Sequence, residues 1–188
     1  MRHLAPILLA LCLAAPAAAQ DRATDRGEPV RWATDGPLVY SYGDNIGPDL
    51  RSVVELALHR WERATGADLA TPYGPHCASW DVLIDVERLN PDGPPDCGSW
   101  DCDEAGHLEH VIWDFAPDHP GVITAASMVL DATLSRAEAI GPALHGWGHL
   151  FGLEDSESVC TVMSWTPSGH IFPTARDAAA VRAIVEAH

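Results

Sequence analysis

The stretch that decides the fold reads ALHGWGHLFGLED and spans residues 143–155. Its two histidines, His145 and His149, are four residues apart, so on a helix both imidazole rings leave the same face one turn apart. Gly152 suits the left-handed backbone conformation that ends a helix and turns the chain back. That turn would bring Asp155 to the two histidines as an oxygen ligand. Three such ligands with a fourth position open are typical of a catalytic zinc site.

A methionine downstream extends the pattern, since Met163 follows these residues in the segment 162–164. The order H-x-x-x-H-x-x-G-x-x-D, followed by a turn with methionine, resembles the metzincin zinc peptidases. The matrixin-like and snapalysin-like branches are the most similar, and the latter use aspartate as the third ligand. The resemblance implies that His145, His149 and Asp155 hold Zn²⁺ and that Met163 lies under the site.

The same resemblance implies a fold and an activity. The fold is α+β, with a twisted, mixed five-stranded sheet above the active-site helix and a short C-terminal subdomain. Residues 57–62 resemble the first helix of the family, and residues 123–134 resemble its edge strand. A peptide substrate would lie antiparallel to the strand at 127–134, and residues 165–172 would wall the pocket beyond the scissile bond. The implied protein is a secreted zinc metalloendopeptidase that attacks peptide bonds through a zinc-bound water.

One position departs from the family pattern. The family has a glutamate directly after the first histidine, whereas this chain has Gly146. That glutamate takes a proton from the water and hands it to the leaving amine. Its absence predicts weak hydrolysis, with Asp131 as the nearest substitute base, and Gly146→Glu is expected to raise activity at least about tenfold. The alternative is a zinc-binding pseudopeptidase that binds a peptide or protein partner without cleaving it.

The rest of the chain predicts a single α+β domain. Apolar residues recur with helical spacing from Leu50 to Ala64, Pro48 suits the first turn of that helix, and Gly66 suits its end. A capping box of Thr174 and Asp177 predicts a last helix that runs to about residue 187. Strands are predicted at residues 30–33, 38–42, 81–86, 108–115 and 127–134.

Composition limits the classes of partner. The chain has 188 residues, of which 47% are hydrophobic, and this suits one domain with a full core. The formal net charge is −16, so electrostatic binding to nucleic acid or to an anionic membrane is not expected. We expect a monomer whose partner is a peptide or a protein.

The first twenty residues have the pattern of a signal peptide. A basic start precedes an apolar run that ends in small residues, so cleavage is expected near Ala19 or Gln20. This predicts a secreted or periplasmic protein. The remaining chain then consists of a short leader at 21–28 and a domain at 29–188, with an upper lobe at 29–152 and a lower lobe at 153–188.

After cleavage of the signal peptide the chain keeps four cysteines, which are Cys77, Cys97, Cys102 and Cys160. Because exported proteins meet an oxidising environment, we expect these cysteines to form disulfides. Two disulfides are expected, and the sequence does not choose among the three pairings. A disulfide-braced domain without any metal is a third hypothesis, and it requires the spacing of the histidines and the aspartate to be accidental.

A second metal site is a further hypothesis. Residues 106–110 look loosely like the matrixin segment whose histidine binds a structural zinc. The donors would be His107, His110 and His119. Solvated loop histidines are the alternative interpretation of these residues.

Overall fold

A computed structural model describes residues 30–74, 79–87, 109–164 and 169–186. The signal segment, the leader, His107, residues 165–168 and three of the four cysteines lie outside these ranges, so the hypotheses about them stay predictions. Cys160 is the one cysteine inside the ranges, and it is disulfide-bonded. In the same ranges, no helix has the length and apolar character needed to cross a membrane.

The described part of the chain contains six strands and three helices. The strands are β1 (Arg31–Trp32), β2 (Leu38–Tyr42), β3 (Ala70–Pro72), β4 (Val82–Glu87), β5 (Glu109–Ala116) and β6 (His119–Asp131), and the helices are α1 (Pro48–Thr65), α2 (Ile140–Leu150) and α3 (Ala175–Glu186). The α+β class is confirmed, with six strands instead of the expected five. The additional strand is β3, whose three residues are too few to give a periodic signal.

The six strands form one sheet, in which the order β1-β6-β4-β2-β3 is completed by β5 on the other side of β6. All neighbours are parallel except β5 and β6, which pair as an antiparallel hairpin. The sheet is therefore mixed, with its antiparallel strand at one end.

The strand expected at the edge is an interior strand. Residues 126–130 of β6 pair with β4 on one side and with β5 on the other. A peptide therefore has no free strand edge to pair with at residues 127–130, and the expectation that it lies there is wrong. The edge position belongs to β5, which pairs with β6 alone within the described ranges.

Helix α1 begins and ends where its sequence predicts. Pro48 opens it, and Gly66 ends it in the left-handed conformation, with φ at 77° and its N–H donating to Glu62 O. Two buried indoles connect α1 to α2: Trp61 Nε1 donates to Leu144 O at 2.9 Å, and Trp147 Nε1 donates to Val54 O at 3.0 Å. Helix α2 also packs on β5 and β6, so it is held between a helix and the hairpin.

Candidate metal centre

Helix α2 and the turn after it bring three predicted ligands together. His145 Nε2 and His149 Nε2 lie 2.8 Å apart on one face of the helix. The helix ends at Leu150, and Gly152 reverses the chain with φ at 96°. Asp155 Oδ1 then lies 2.9 Å from His145 Nε2 and 3.6 Å from His149 Nε2. All three donor atoms are therefore close enough to share one ion.

Each imidazole is oriented by its other nitrogen. His145 Nδ1 lies 3.0 Å from Val162 O, and His149 Nδ1 lies 2.9 Å from Leu153 O. A carbonyl oxygen only accepts hydrogen bonds, so Nδ1 is the donor in both rings and Nε2 of a neutral ring carries a lone pair. Two such nitrogens and the Asp155 oxygen would then face one another as three acceptors, an arrangement that a proton or a metal ion among them would stabilise. The same ring-to-carbonyl bonds orient histidine ligands in metal sites.

The electrostatics of this cluster favour positive charge. Burial lowers the pKa of His145, but the hydrogen bond to Asp155 and the negative charges of Glu109 and Asp155 outweigh it, and the pKa rises to about 9. Burial raises the pKa of Asp155, but hydrogen bonds from His145 and His149 hold it well below its ordinary range. A proton and a metal ion therefore compete for the same place between these side chains.

Glu109, at the start of β5, is a fourth member of the cluster that the sequence reasoning missed. Its Oε1 lies 3.7 Å from His145 Nε2. With His145 and His149 it forms a group whose ligand atoms all lie within 4.8 Å of one another. Its side chain is 9% exposed, and Oε2 has no hydrogen-bond partner within the described part of the chain.

The alternation of side chains along β5 contains a signal from which Glu109 could have been recognised as a site residue. Alternation along the strand places Glu109, Val111 and Trp113 on one face. Val111 is buried, and the Trp113 ring lies edge-on to His149 with the ring centroids 6.0 Å apart. A carboxylate in phase with two apolar side chains at a core face is rare without a partner or a function.

Other side chains approach helix α2 closely at both glycines between the histidines, Gly146 and Gly148. A Cβ on Gly146 would lie 2.5 Å from Met128 Sδ and 3.3 Å from Glu109 Oε2. The glutamate of the family pattern would therefore displace Met128 and meet a second carboxylate. This packing argues against the expectation from sequence that Gly146→Glu alone raises activity, and that expectation stays a prediction.

Met163 lies against the same helix, beside Gly148, and it is 2% exposed. Its carbonyl accepts a hydrogen bond from Ser156 N at 2.6 Å, and its N–H donates to Thr161 Oγ1 at 3.0 Å. Asp177, in the first turn of α3, accepts hydrogen bonds from Thr161 Oγ1 and from Val162 N. Because Val162 O orients His145, the start of α3 is linked to the cluster.

The geometry argues against Asp131 as a substitute base. Its Oδ1 accepts hydrogen bonds from Thr133 N and Thr133 Oγ1 at 2.7 and 2.6 Å, which fix the turn after β6. Glu109 lies directly across from Leu130, so Asp131, the next residue, alternates to the opposite face of the sheet.

The structure separates two of the three donors that were hypothesised for a second metal site. His110 pairs with Val129, whereas His119 pairs with Ala116 at the other end of the hairpin. Six residues of strand separate these positions, which is roughly 20 Å. His110 and His119 therefore cannot share an ion, and His107 lies outside the described ranges.

No protein-family model matches this chain, and no curated protein matches it either.

Gly148→Ala is expected to destabilise the fold by about 1–3 kcal/mol. A Cβ at this position would overlap Met163 Sδ and lie 3.2 Å from Trp61 Cζ2, and both neighbours are buried. Gly141→Ala is the control, because a Cβ there has nothing within 4 Å and alanine favours the same helix. Urea unfolding followed by circular dichroism measures both variants. Equal stability of the two would contradict the packing argument.

Proposed function

We propose that this chain is a zinc-dependent metallopeptidase-type domain, similar to the metzincins, in which His145, His149 and Asp155 hold the ion. The observation that carries the proposal is the convergence of their three donor atoms within 3.6 Å of one another. Tetrahedral zinc with ligands at 2.0–2.1 Å separates its ligand atoms by about 3.3 Å. Two of the observed separations, 2.8 and 2.9 Å, are shorter than this value, and the third, 3.6 Å, is longer.

The surroundings of the cluster support action on a peptide. Zinc, when bound, supplies Lewis acidity that lowers the pKa of water to about 7 and polarises a carbonyl. Asp155 is 48% exposed, so the cluster is accessible from its side. Strand β5 carries Glu109 and Trp113 to the cluster. No other described strand pairs with the outer edge of β5, and such an edge suits antiparallel pairing with an extended peptide. We therefore propose that the substrate lies along β5 rather than along residues 127–134.

A non-catalytic zinc-binding pseudopeptidase is the second candidate function. The observation that favours it is Gly146, which stands where the family pattern has its proton-transfer glutamate. Such a domain would bind zinc and a peptide or protein partner, and it would leave peptide bonds intact.

Metal analysis and hydrolysis of the purified protein test the proposal together. We expect about one zinc per chain, because the described residues bring one such set of three ligands together. We also expect cleavage of fluorescein-labelled casein that a chelator abolishes and added zinc restores. Zinc binding without cleavage would favour the pseudopeptidase, and a chain that binds no zinc would overturn both functions.

A further inference from the structure

We propose that Glu109 is the catalytic carboxylate of this site. In this proposal Glu109 takes a proton from the attacking water and gives it to the leaving amine, the role that the metzincin pattern gives to the glutamate directly after the first histidine. The inference rests on the proposed peptidase function and adds the residue that the sequence lacks at position 146. Strand β5 would then supply the base that the helix does not.

The first argument is position. A Cβ on Gly146 would lie 3.3 Å from Glu109 Oε2, so the strand carboxylate reaches the space that a side chain at position 146 would enter. Met128 fills the rest of that space, because its Sδ would lie 2.5 Å from the same Cβ. Glycine at 146 and glutamate at 109 are therefore complementary, since the absence of a side chain on the helix makes room for one from the strand.

The second argument is the state of the Glu109 side chain. It is 9% exposed, and its Oε2 has no hydrogen-bond partner within the described ranges. Burial of a carboxylate oxygen without a partner is unfavourable, and such groups in folded proteins call for a specific explanation. A water molecule or a substrate atom in the cluster would supply the missing partner.

The third argument separates a base from a fourth ligand. Asp155 Oδ1 lies 2.9 Å from His145 Nε2, whereas Glu109 Oε1 lies 3.7 Å from the same atom. Asp155 is therefore the nearer carboxylate to His145. Glu109 lies farther away and is less exposed, with 9% of its side chain accessible against 48% for Asp155, so we assign the ligand role to Asp155 and the proton-transfer role to Glu109.

The proposed step conserves atoms and charge. The oxygen of a water molecule forms a bond to the carbonyl carbon of the peptide while one of its protons moves to the Glu109 carboxylate. The carbon–nitrogen bond then breaks, and Glu109 returns that proton to the leaving nitrogen. The products are a carboxylic acid and an amine, and Glu109 ends as it began.

Glu109→Gln tests the assignment, with Glu55→Gln as the matched control. Both variants replace a glutamate by its amide, but Glu55 is exposed on α1 and belongs neither to the cluster nor to β5. We expect Glu109→Gln to lower kcat/KM on fluorescein-labelled casein by about 10²–10⁴-fold. Its zinc affinity, measured by competition with a chromogenic chelator, should stay within about threefold of the unsubstituted protein. Glu55→Gln should change neither quantity.

The outcomes distinguish this inference from the proposed function. Hydrolysis that survives Glu109→Gln overturns the inference and leaves the peptidase proposal standing. A zinc affinity that falls more than about tenfold makes Glu109 a ligand or a partner of a ligand, and it also overturns the inference. Protein that binds zinc but cleaves nothing before substitution overturns both. If Glu109→Gln does not fold, Glu109→Asp retains a carboxylate and should keep part of the activity, and failure of both variants to fold assigns Glu109 a structural role only.

Discussion

His149→Ala is expected to lower the affinity for zinc by more than about 100-fold. Loss of a group that merely orients a ligand costs about 10–100-fold in metal affinity, and loss of a ligand is more severe. The His149 ring is oriented by Leu153 O and places Nε2 2.8 Å from His145 Nε2. Without it, two of the three donors would remain.

His59→Ala is the control for this substitution. His59 is a surface residue of α1, with 81% of its side chain exposed and its ring beside Glu62. Both variants are titrated with zinc in competition with a chelator, and unfolding is measured in parallel. Equal zinc affinity in the two variants would show that the His149 imidazole does not bind the metal.

Trp147→Ala should produce the largest loss of stability, about 3–5 kcal/mol. Trp147 is fully buried and stacks on Phe151 with the ring centroids 5.4 Å apart. It also lies edge-on to Tyr40, and its Nε1 donates to Val54 O. Alanine would leave a large cavity on the face of α2 opposite the cluster, and it would leave the Val54 carbonyl without this donor.

Trp80→Ala is the matched control, because Trp80 is 43% exposed. We expect a change of less than about 1 kcal/mol for this variant, as for most surface substitutions. Urea denaturation followed by circular dichroism compares the two. A Trp147→Ala protein as stable as the Trp80→Ala protein would mean that the Trp147 indole does not stabilise the packing of α2.

Local features of the fold could be predicted from the sequence. The helix ends at Gly66 and Gly152 follow from the conformational freedom of glycine. The capping box is present as predicted, since Thr174 N donates to Asp177 Oδ2 at 2.8 Å and Asp177 N donates to Thr174 Oγ1 at 3.3 Å. These features depend on residues that are close together in the chain, so their spacing carries the information.

Strand order could not be predicted in the same way. The sequence indicates a strand near residues 127–134, but the number of neighbours on each side of β6 depends on which distant segments pair with it. Strand alternation shows which face is buried and contains nothing about the edge. The sequence therefore predicts a peptide-binding edge on β6, although β5 occupies the edge position.

The candidate site likewise contains residues that the sequence could predict and one that it could not. His145, His149 and Asp155 follow one helix and its turn, so their spacing predicted the convergence. Glu109 comes from another strand, and only the register between β5 and β6 brings it to the cluster. Gly146 could be recognised as a departure from the pattern, but the side chain that fills its space could not.

The link between Asp177 and the Val162 segment has a consequence for the order of events during synthesis. Both imidazoles are synthesised before Asp177, whose side chain holds the segment with the carbonyl that orients His145. A nascent chain that stops before α3 therefore has the donors without their support. For the proposed zinc site, we expect high-affinity capture of the ion only after α3 has been translated.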